Sequence, residues 1–299
     1  MTLLLALIFA FQAKPAPVPA GPAYVPVRVY EADRQSFTDF ERMLADLTKA
    51  DVIFVGEQHD DPNTHRLEVA LLEGLKRRGA SPTVSLEMFE RDVQPMLDAY
   101  RSGKTNEDEF LKASRPWPRY ATDYRPLVEI ARENGWPVVA SNVPRRHASA
   151  VAKTGRTALD ELSPADRENV ARDLQCPLDA YFTRFAETMS SHPPPGTEKV
   201  SPEERRATTE RYFVSQCVKD ETMAEAIVSA AATAKGPVVH FNGAFHSDFG
   251  QGTAERVRRR LEGRRVAIVS ILPVKDIDQA APSAEDLRRA DYLVYTVGK

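Results

Sequence analysis

The pattern of apolar and polar residues alternates between short apolar runs and longer stretches in which apolar residues recur every three or four positions. The short runs are typical of buried strands, and the longer stretches are typical of amphipathic helices. The predicted strands are residues 27–30, 51–55, 83–89, 137–142, 237–243, 266–271 and 292–297. Strands separated by helices favour an α/β fold with a mainly parallel sheet and helices on both faces. The last strand has the alternative of running antiparallel at an edge.

Local signals predict how the first elements begin and end. Residues 36–39 resemble the capped start of a helix, because apolar residues follow them at helical spacing. Gly56 is predicted to end the strand at 51–55 with a sharp turn. Asp61 is the predicted N-cap of the next helix, and Pro62 is its first residue.

The alternation stops between residues 145 and 235, where the sequence is charged and helical in pattern. We interpret this stretch as a helical insertion over the carboxyl edge of the sheet, within an α/β core of residues 27–144 and 236–299. Residues 1–26 differ from both parts, since an apolar run is followed by a Pro- and Ala-rich segment. That order predicts a signal peptide, a linker and an extracytoplasmic location. An uncleaved anchor or a disordered tail are the alternatives.

Composition narrows the class of protein. Apolar residues make up 42% of the chain and charged residues 28%, which is typical of a soluble globular protein. The net charge of -3 gives no indication of a nucleic-acid partner. Cys176 and Cys217 lack the spacing of a redox or zinc motif. They pair as a disulfide if their segments form a helical hairpin, and otherwise they are two separate buried thiols.

Polar side chains follow several of the predicted strands. Glu57 and His59 follow the strand at 51–55, and Glu87 lies at the carboxyl end of the next strand. Asn142 ends the strand after that, and His246 follows the strand at 237–243. Because parallel strands end at one edge of the sheet, we expect these side chains to face one cleft, where α/β proteins bind their ligands.

These residue types allow two kinds of chemistry. Neutral imidazoles and carboxylates bind divalent metals, and His59, His246 and Glu57 are the predicted ligands. A metal-bound water could then attack an ester or an amide, with Glu57 and Glu87 as the candidate catalytic carboxylates and Glu57 as the general base. Without a metal, a histidine–glutamate pair could itself activate water.

Other histidines and aromatic residues near the predicted cleft are expected to have structural roles. His65 and His240 are expected to be hydrogen-bonded structural residues rather than ligands. Trp117, Tyr120 and Tyr124 are expected to serve packing, although a pocket for a flat ligand needs such residues.

At these residues the sequence resembles the ChaN family of haem-binding proteins, within the Tiki, TraB and erythromycin-esterase-like superfamily. The motifs that carry the resemblance are Gly56-Glu57-Gln58-His59 with His65, Ser85–Phe89, Ser141–Arg145, Asn242–His246 and Ala290–Tyr295. The resemblance extends over roughly residues 27–298. It implies an α/β core with a helical insertion, a bound haem and the pairing of two protomers around it.

The resemblance also implies roles for individual residues. The glutamate-histidine signature of the superfamily falls on Glu57, His59, Glu87 and His246, and related branches use it in metal-dependent proteolysis or ester hydrolysis. His59, His246, Asn142, Tyr120 and Tyr124 are the candidate haem contacts, and either tyrosine or a histidine is able to be the axial iron donor. The chain lacks the lipid-anchor cysteine of many family members after its apolar run.

Three functional hypotheses follow. The first is an exported haem-binding protein of iron acquisition. The second is a metal-dependent peptidase or esterase that uses the same cleft. The third is an interaction domain with a vestigial site, which the convergence of polar groups disfavours.

Overall fold

The computed structural model describes residues 24–191 and 200–298. The signal peptide predicted within residues 1–26 falls almost wholly outside these ranges. Eight strands form one sheet, in the order β2-β1-β8-β7-β3-β6-β4-β5. The strands are β1 (Val27–Glu31), β2 (Ser36–Thr38), β3 (Val52–Glu57), β4 (Thr83–Glu90), β5 (Val138–Asn142), β6 (Val238–Gly243), β7 (Val266–Val274) and β8 (Tyr292–Val297).

Six neighbouring strands, from β8 through to β5, run parallel, while β1 is antiparallel to β8 and to β2. The mainly parallel α/β sheet is therefore confirmed. The alternative of an antiparallel last strand at an edge is wrong, because β8 runs parallel to β7 and lies inside the sheet. The β1–β2 hairpin occupies that edge instead.

The α-helices lie between the strands and in the insertion. They are α1 (Phe40–Leu47), α2 (Pro62–Arg77), α3 (Gln94–Arg101), α4 (Glu107–Ser114), α5 (Tyr120–Asp123), α6 (Arg125–Glu133), α7 (Arg145–Thr154), α8 (Pro164–Arg167), α9 (Ala180–Ser191), α10 (Pro202–Ala231) and α11 (Gly252–Arg260). Within the described ranges, no helix is both long and apolar enough to cross a membrane.

The starts of α1 and α2 can be compared with the capping signals in the sequence. Asp61 caps α2 and accepts hydrogen bonds from the backbone of Asn63 and Thr64, as the sequence predicts. The helix start predicted at residues 36–39 is a strand up to Thr38, which pairs with β1. Asp39 is the N-cap of α1, so the helix begins directly after the last residue of the predicted signal.

Helices cover both faces of the sheet, so each central strand is buried on both sides. In β3, Ile53 and Val55 face a core that includes side chains of α1 and α2, while Val52 and Phe54 face a second core with α10 and α11. This alternation follows from the two-residue repeat of a strand. It explains why β3 is apolar at each of the successive positions Val52–Val55 rather than at every second position.

The segment between β5 and β6, which we interpret as an insertion, includes α10, a helix of 30 residues. The carboxyl-terminal half of this helix contributes Ala224 and Ile227 to the core against the sheet, and Val218 packs in a smaller core with α7. Cys176 and Cys217 form a disulfide, with their Cα atoms 5.7 Å apart. The bond is as predicted, but Cys176 lies in the irregular segment before α9 rather than in a helix.

Candidate functional site

The carboxyl ends of four neighbouring strands, β3, β6, β4 and β5, form the floor of a cleft. His59, Glu87, Asn142 and His246 line one cavity of about 270 Å³. Glu57, His59 and His246 line an adjoining cavity of about 420 Å³. The structure therefore brings together the five polar residues that follow the predicted strands.

Two glycines allow this part of the backbone to pack closely. Gly56 lies inside β3 rather than in a turn, so the turn expected there is wrong. A Cβ atom on Gly56 would lie 3.1 Å from Ala244 Cα. The glycine at position 56 therefore allows β3 to pack tightly against the turn after β6. A Cβ atom on Gly243 would lie only 2.7 Å from Nε2 of His59. Gly243 therefore leaves the space in which the His59 ring sits.

Glu57 holds the ring of His59 in place. Its Oε1 atom lies 2.5 Å from Nδ1 of His59 and also accepts the phenolic hydrogen of Tyr124 at 2.9 Å. Trp117 packs edge-on against the imidazole, with ring centres 5.1 Å apart. Because Nδ1 faces a carboxylate, Nδ1 carries a hydrogen, and Nε2 is left as the free nitrogen. The His59 side chain is 44% exposed, and the residue lines both cavities of the cleft.

Burial lowers the pKa of His59, but the hydrogen bond that His59 donates to Glu57 and the charge of Glu87 outweigh it, so the pKa is raised. The same two contacts explain why this histidine is basic although it lies against an aromatic ring. A raised pKa means that a ligand which needs neutral imidazole competes with a proton for Nε2.

His246 is buried between two carboxylates. Nδ1 lies 2.7 Å from Oδ1 of Asp220, and Nε2 lies 3.4 Å from Oε1 of Glu87. Burial opposes a charge here, yet Glu87 and Asp220 together raise the pKa of His246 to about 10. Both carboxyl groups have lowered pKa values against the effect of burial, chiefly because the cation of His246 faces them. The geometry therefore makes His246 an imidazolium at neutral pH.

Asp220 is a site residue that the sequence patterns do not indicate. It is fully buried on α10 and accepts further hydrogen bonds from Tyr181 at 2.9 Å and from Thr253 at 2.8 Å. Its only sequence signal is an acidic residue within the buried stretch of a long helix. The strand-end rule cannot find it, because Asp220 lies within the helix α10 and not at the end of a strand.

The other predicted haem contacts, Asn142, Tyr120 and Tyr124, are held in contacts with the rest of the protein. The Asn142 amide donates to the backbone oxygen of Glu87 and accepts from the backbone of Val143, so it braces the strand ends beside the cleft. Tyr120 packs between aromatic rings of the core and does not border the cleft. Burial is the first cause of the raised pKa of both Tyr120 and Tyr124.

Two of the expected structural histidines are buried in the described chain. His240 lies in β6 with Nδ1 2.9 Å from the hydroxyl of Ser85, and burial lowers its pKa to about 3. His65 lies on α2 beside Glu57 and Glu68. Among the described residues, the three donors that converge within 4.8 Å are those of Glu57, His65 and Glu68, and not those of His59, His246 and Glu57.

Positively charged side chains border the cleft. Arg145, at the start of α7, and Lys219, one residue before Asp220 on α10, line the cavity with Trp117. Arg184 borders the adjoining cavity and packs over the ring of Phe245, with its Cζ atom 4.2 Å from the ring centre. The mouth of the cleft is thus aromatic and cationic, which suits a flat ligand that carries negative groups.

Comparison with known proteins places this fold and sequence among relatives. The structure is similar to that of ChaN from Campylobacter jejuni, which binds haem cofacially, with a TM-score of 0.68 and 19% identity over 91% of this chain and 97% of that one. A succinoglycan biosynthesis protein is similar with a TM-score of 0.50 and 12% identity, over 86% of this chain and 91% of that one.

A sequence relative lies in Arabidopsis thaliana. The chain is 24% identical over 275 residues, 87% of its length, to the chloroplastic protein RETICULATA-RELATED 5, of which it spans 36%. The chain therefore corresponds to about a third of that relative. The family model described as haem-binding uptake, Tiki superfamily, ChaN matches residues 43–257, which include both strand-end histidines and α10. This chain belongs to the ChaN family of haem-binding uptake proteins in the Tiki superfamily.

Proposed function

We propose that the protein binds haem at the strand-end cleft and that the Nε2 atom of His59 is the axial iron donor. The observation that carries this assignment is the open imidazole of His59, whose other nitrogen is held by Glu57 at 2.5 Å. An iron-bound histidine typically has this arrangement, because a hydrogen bond at Nδ1 orients the ring and makes Nε2 a better donor.

The two candidate tyrosines are less suitable donors. Tyr120 and Tyr124 are 4% and 2% exposed, and the Tyr124 hydroxyl is already bound to Glu57. Their raised pKa values disfavour the phenolate that would bind iron. His246 is also disfavoured, because both of its nitrogens face carboxylates. His59 is the candidate with a free nitrogen at the surface of the cleft.

The rim of the cleft supports haem as the ligand. The indole of Trp117 lies beside His59, where it could contact a flat ring. Lys219 and Arg145 border the same cavity and are able to bind the two carboxylates of haem. Each part of haem therefore has a counterpart in the cleft. The aromatic side chain suits the apolar ring, the two cations suit the carboxylates, and the imidazole suits the iron.

We also propose that the protein acts outside the cytoplasm in haem or iron acquisition. The apolar segment at residues 3–11 supports export. The Cys176–Cys217 disulfide supports it independently, since such bonds persist in oxidising compartments. Pairing of two protomers around haem is part of the same proposal, by analogy with the cofacial haem of the ChaN protein from Campylobacter jejuni.

A haemin titration followed by absorption tests the haem proposal. We expect a shifted Soret band at stoichiometric haemin, and we expect His59→Ala to weaken binding at least tenfold and to change the spectrum. The control is Tyr212→Phe, because Tyr212 is exposed. His240→Ala is unsuitable as a control, because His240 is buried and its replacement would disturb the core. An unchanged spectrum in His59→Ala, or its loss in Tyr212→Phe, would contradict the assignment of the iron donor.

Hydrolysis is a second candidate, and one observation favours it. The cleft holds an acid–base set in which the Glu57–His59 pair is a possible base and the imidazolium of His246 a possible proton donor. Such a set could activate water without a metal. An ester and peptide substrate panel tests this idea. Activity that survives His59→Ala at wild-type levels would contradict it.

A further inference from the structure

A second group of ligand-type side chains surrounds the other carboxylate oxygen of Glu57, the one that does not face His59. The Oε1 atom of Glu57 faces His59 and Tyr124, whereas Oε2 lies 3.4 Å from Nδ1 of His65. Glu57, His65 and Glu68 are 2%, 4% and 0% exposed. Among the described residues, Glu57 Oε2 and Glu68 Oε1 are buried oxygens without a hydrogen-bond donor. Buried carboxylate oxygens without a donor indicate a missing cation or proton.

The surroundings of His65 determine where its hydrogen lies. Nε2 lies 3.2 Å from the backbone oxygen of His59 and 3.4 Å from Oδ2 of Asp123. Both are acceptors, so Nε2 carries the hydrogen. Nδ1 lies 3.0 Å from Oε2 of Glu68 and 3.4 Å from Oε2 of Glu57. A nitrogen lone pair cannot face two carboxylate oxygens unless a proton or a metal cation lies between them.

We propose that Glu57, His65 and Glu68 bind a divalent transition-metal ion at a site that shares Glu57 with the haem cleft, while His65 and Glu68 do not border the cleft. Their donor atoms lie within 4.8 Å of one another. For bonds of ~2.1 Å, neighbouring ligands are roughly 3.0 Å apart in octahedral and roughly 3.4 Å apart in tetrahedral coordination. The two separations measured from Nδ1 of His65, 3.0 and 3.4 Å, fall at these values.

The outer contacts of His65 are also those of a metal ligand. A metal-bound histidine usually donates its second N–H to a backbone carbonyl or a carboxylate, as Nε2 of His65 does with His59. One imidazole and two carboxylates suit Mn²⁺ or Zn²⁺. Because all three ligands are buried, the ion would be structural: it would join the start of α2 to the end of β3 and hold Glu57 under His59.

Metal binding to three purified proteins tests the site. They are the wild type, Glu68→Gln and the matched control Glu73→Gln, which makes the same substitution at an exposed position of α2. After treatment with a chelator, each protein is titrated with Mn²⁺ and Zn²⁺ by calorimetry in the absence of haemin. We expect about one ion per chain in the wild type and the control, and at least tenfold weaker binding in Glu68→Gln.

Thermal unfolding gives a second measurement. A saturating ion should raise the midpoint of the wild type by several degrees, because it binds the folded state alone, and should leave Glu68→Gln unchanged. Crystals soaked in Mn²⁺ locate the ion by anomalous scattering even if Glu68→Gln does not fold. Haemin titration of the same proteins tests the haem proposal separately, since Glu68 does not border the cleft.

Three results would overturn the proposal. The first is a wild type that binds neither ion, in which case Glu57, His65 and Glu68 share a proton instead. The second is equal metal affinity in Glu68→Gln and Glu73→Gln. The third is metal binding that His246→Ala abolishes and Glu68→Gln does not, which would place the ion in the strand-end cleft.

Discussion

At the scale of single residues, the charge of His246 makes the stability of the fold depend on pH. Its folded-state pKa of about 10 exceeds the unfolded value of 6.5, because Glu87 and Asp220 outweigh burial. The folded chain therefore holds a proton that the unfolded chain loses between these two values. The stabilising contribution of His246 is fully present below pH 6.5 and is lost as the pH rises toward 10.

Denaturant unfolding at several pH values tests this dependence. We expect the free energy of unfolding of the wild type to fall as the pH rises from 6.5 to 10. The slope in His246→Gln should be smaller, although this variant is less stable throughout because it leaves two buried carboxylates unpaired. Equal slopes in both proteins would show that His246 is not charged in the fold.

The two glycines of the cleft differ in what an added methyl group would meet. In Gly243→Ala the Cβ atom would meet the half-exposed His59 ring at 2.7 Å, and in Gly56→Ala it would meet the backbone of Ala244 at 3.1 Å. We expect Gly243→Ala to weaken haemin binding with little loss of stability, because an exposed ring can move. Gly56→Ala should cost about 1–3 kcal/mol of unfolding free energy. Absorption titration and urea unfolding measure the two effects, and the reverse ranking would contradict this explanation.

At the scale of elements, the disulfide ties α10 to the segment before α9. It closes a loop with a sequence separation of 41 residues. By the loop-closure relation, the double variant Cys176→Ala/Cys217→Ala should lose about 4 kcal/mol of unfolding free energy. Urea unfolding under non-reducing conditions measures this loss, and reduced wild type is the control. An unchanged midpoint would mean that the unfolded chain is already compact around this loop.

The insertion also decides the chemistry of the cleft at this scale. Asp220 reaches His246 from α10, and Lys219 borders the same cavity. A helix added between two strands of the core therefore supplies both the counter-ion and a rim cation. The strand ends alone would leave His246 facing Glu87 only.

At the scale of the whole molecule, haem should control association. If two protomers pair around haem, light scattering after size-exclusion chromatography should show the mass of one chain without haemin and of two chains with it. The variant His59→Ala should stay at the mass of one chain when haemin is added. A wild type whose mass does not respond to haemin would contradict pairing through the ligand.

Export is a second property of the whole molecule. Intact-mass measurement of protein from the native envelope should show removal of roughly the first one or two dozen residues. The cytosolic fraction is the control for protein that has not been exported. Recovery of the full 299-residue chain from the cytosol alone would contradict the proposal.

The position and type of most elements follow from the pattern of apolar and polar residues. Apolar runs with polar ends predicted seven of the eight strands, because a strand buried on both faces is apolar over most of its length. The strand β2 does not show this pattern, since its three residues are short of apolar positions and two of them are exposed. Asp61 was predicted as a cap because capping depends on contacts within one turn.

The tertiary structure decided which groups meet. The order of the strands, with β6 between β3 and β4, brings His246 to Glu87, and no local pattern encodes that order. The same holds for Asp220, which is 26 residues from His246 in sequence yet hydrogen-bonded to it. Contacts between distant segments depend on how whole faces pack, so the sequence could predict a cleft and its residue types, but only the fold made His246 a cation and left His59 open.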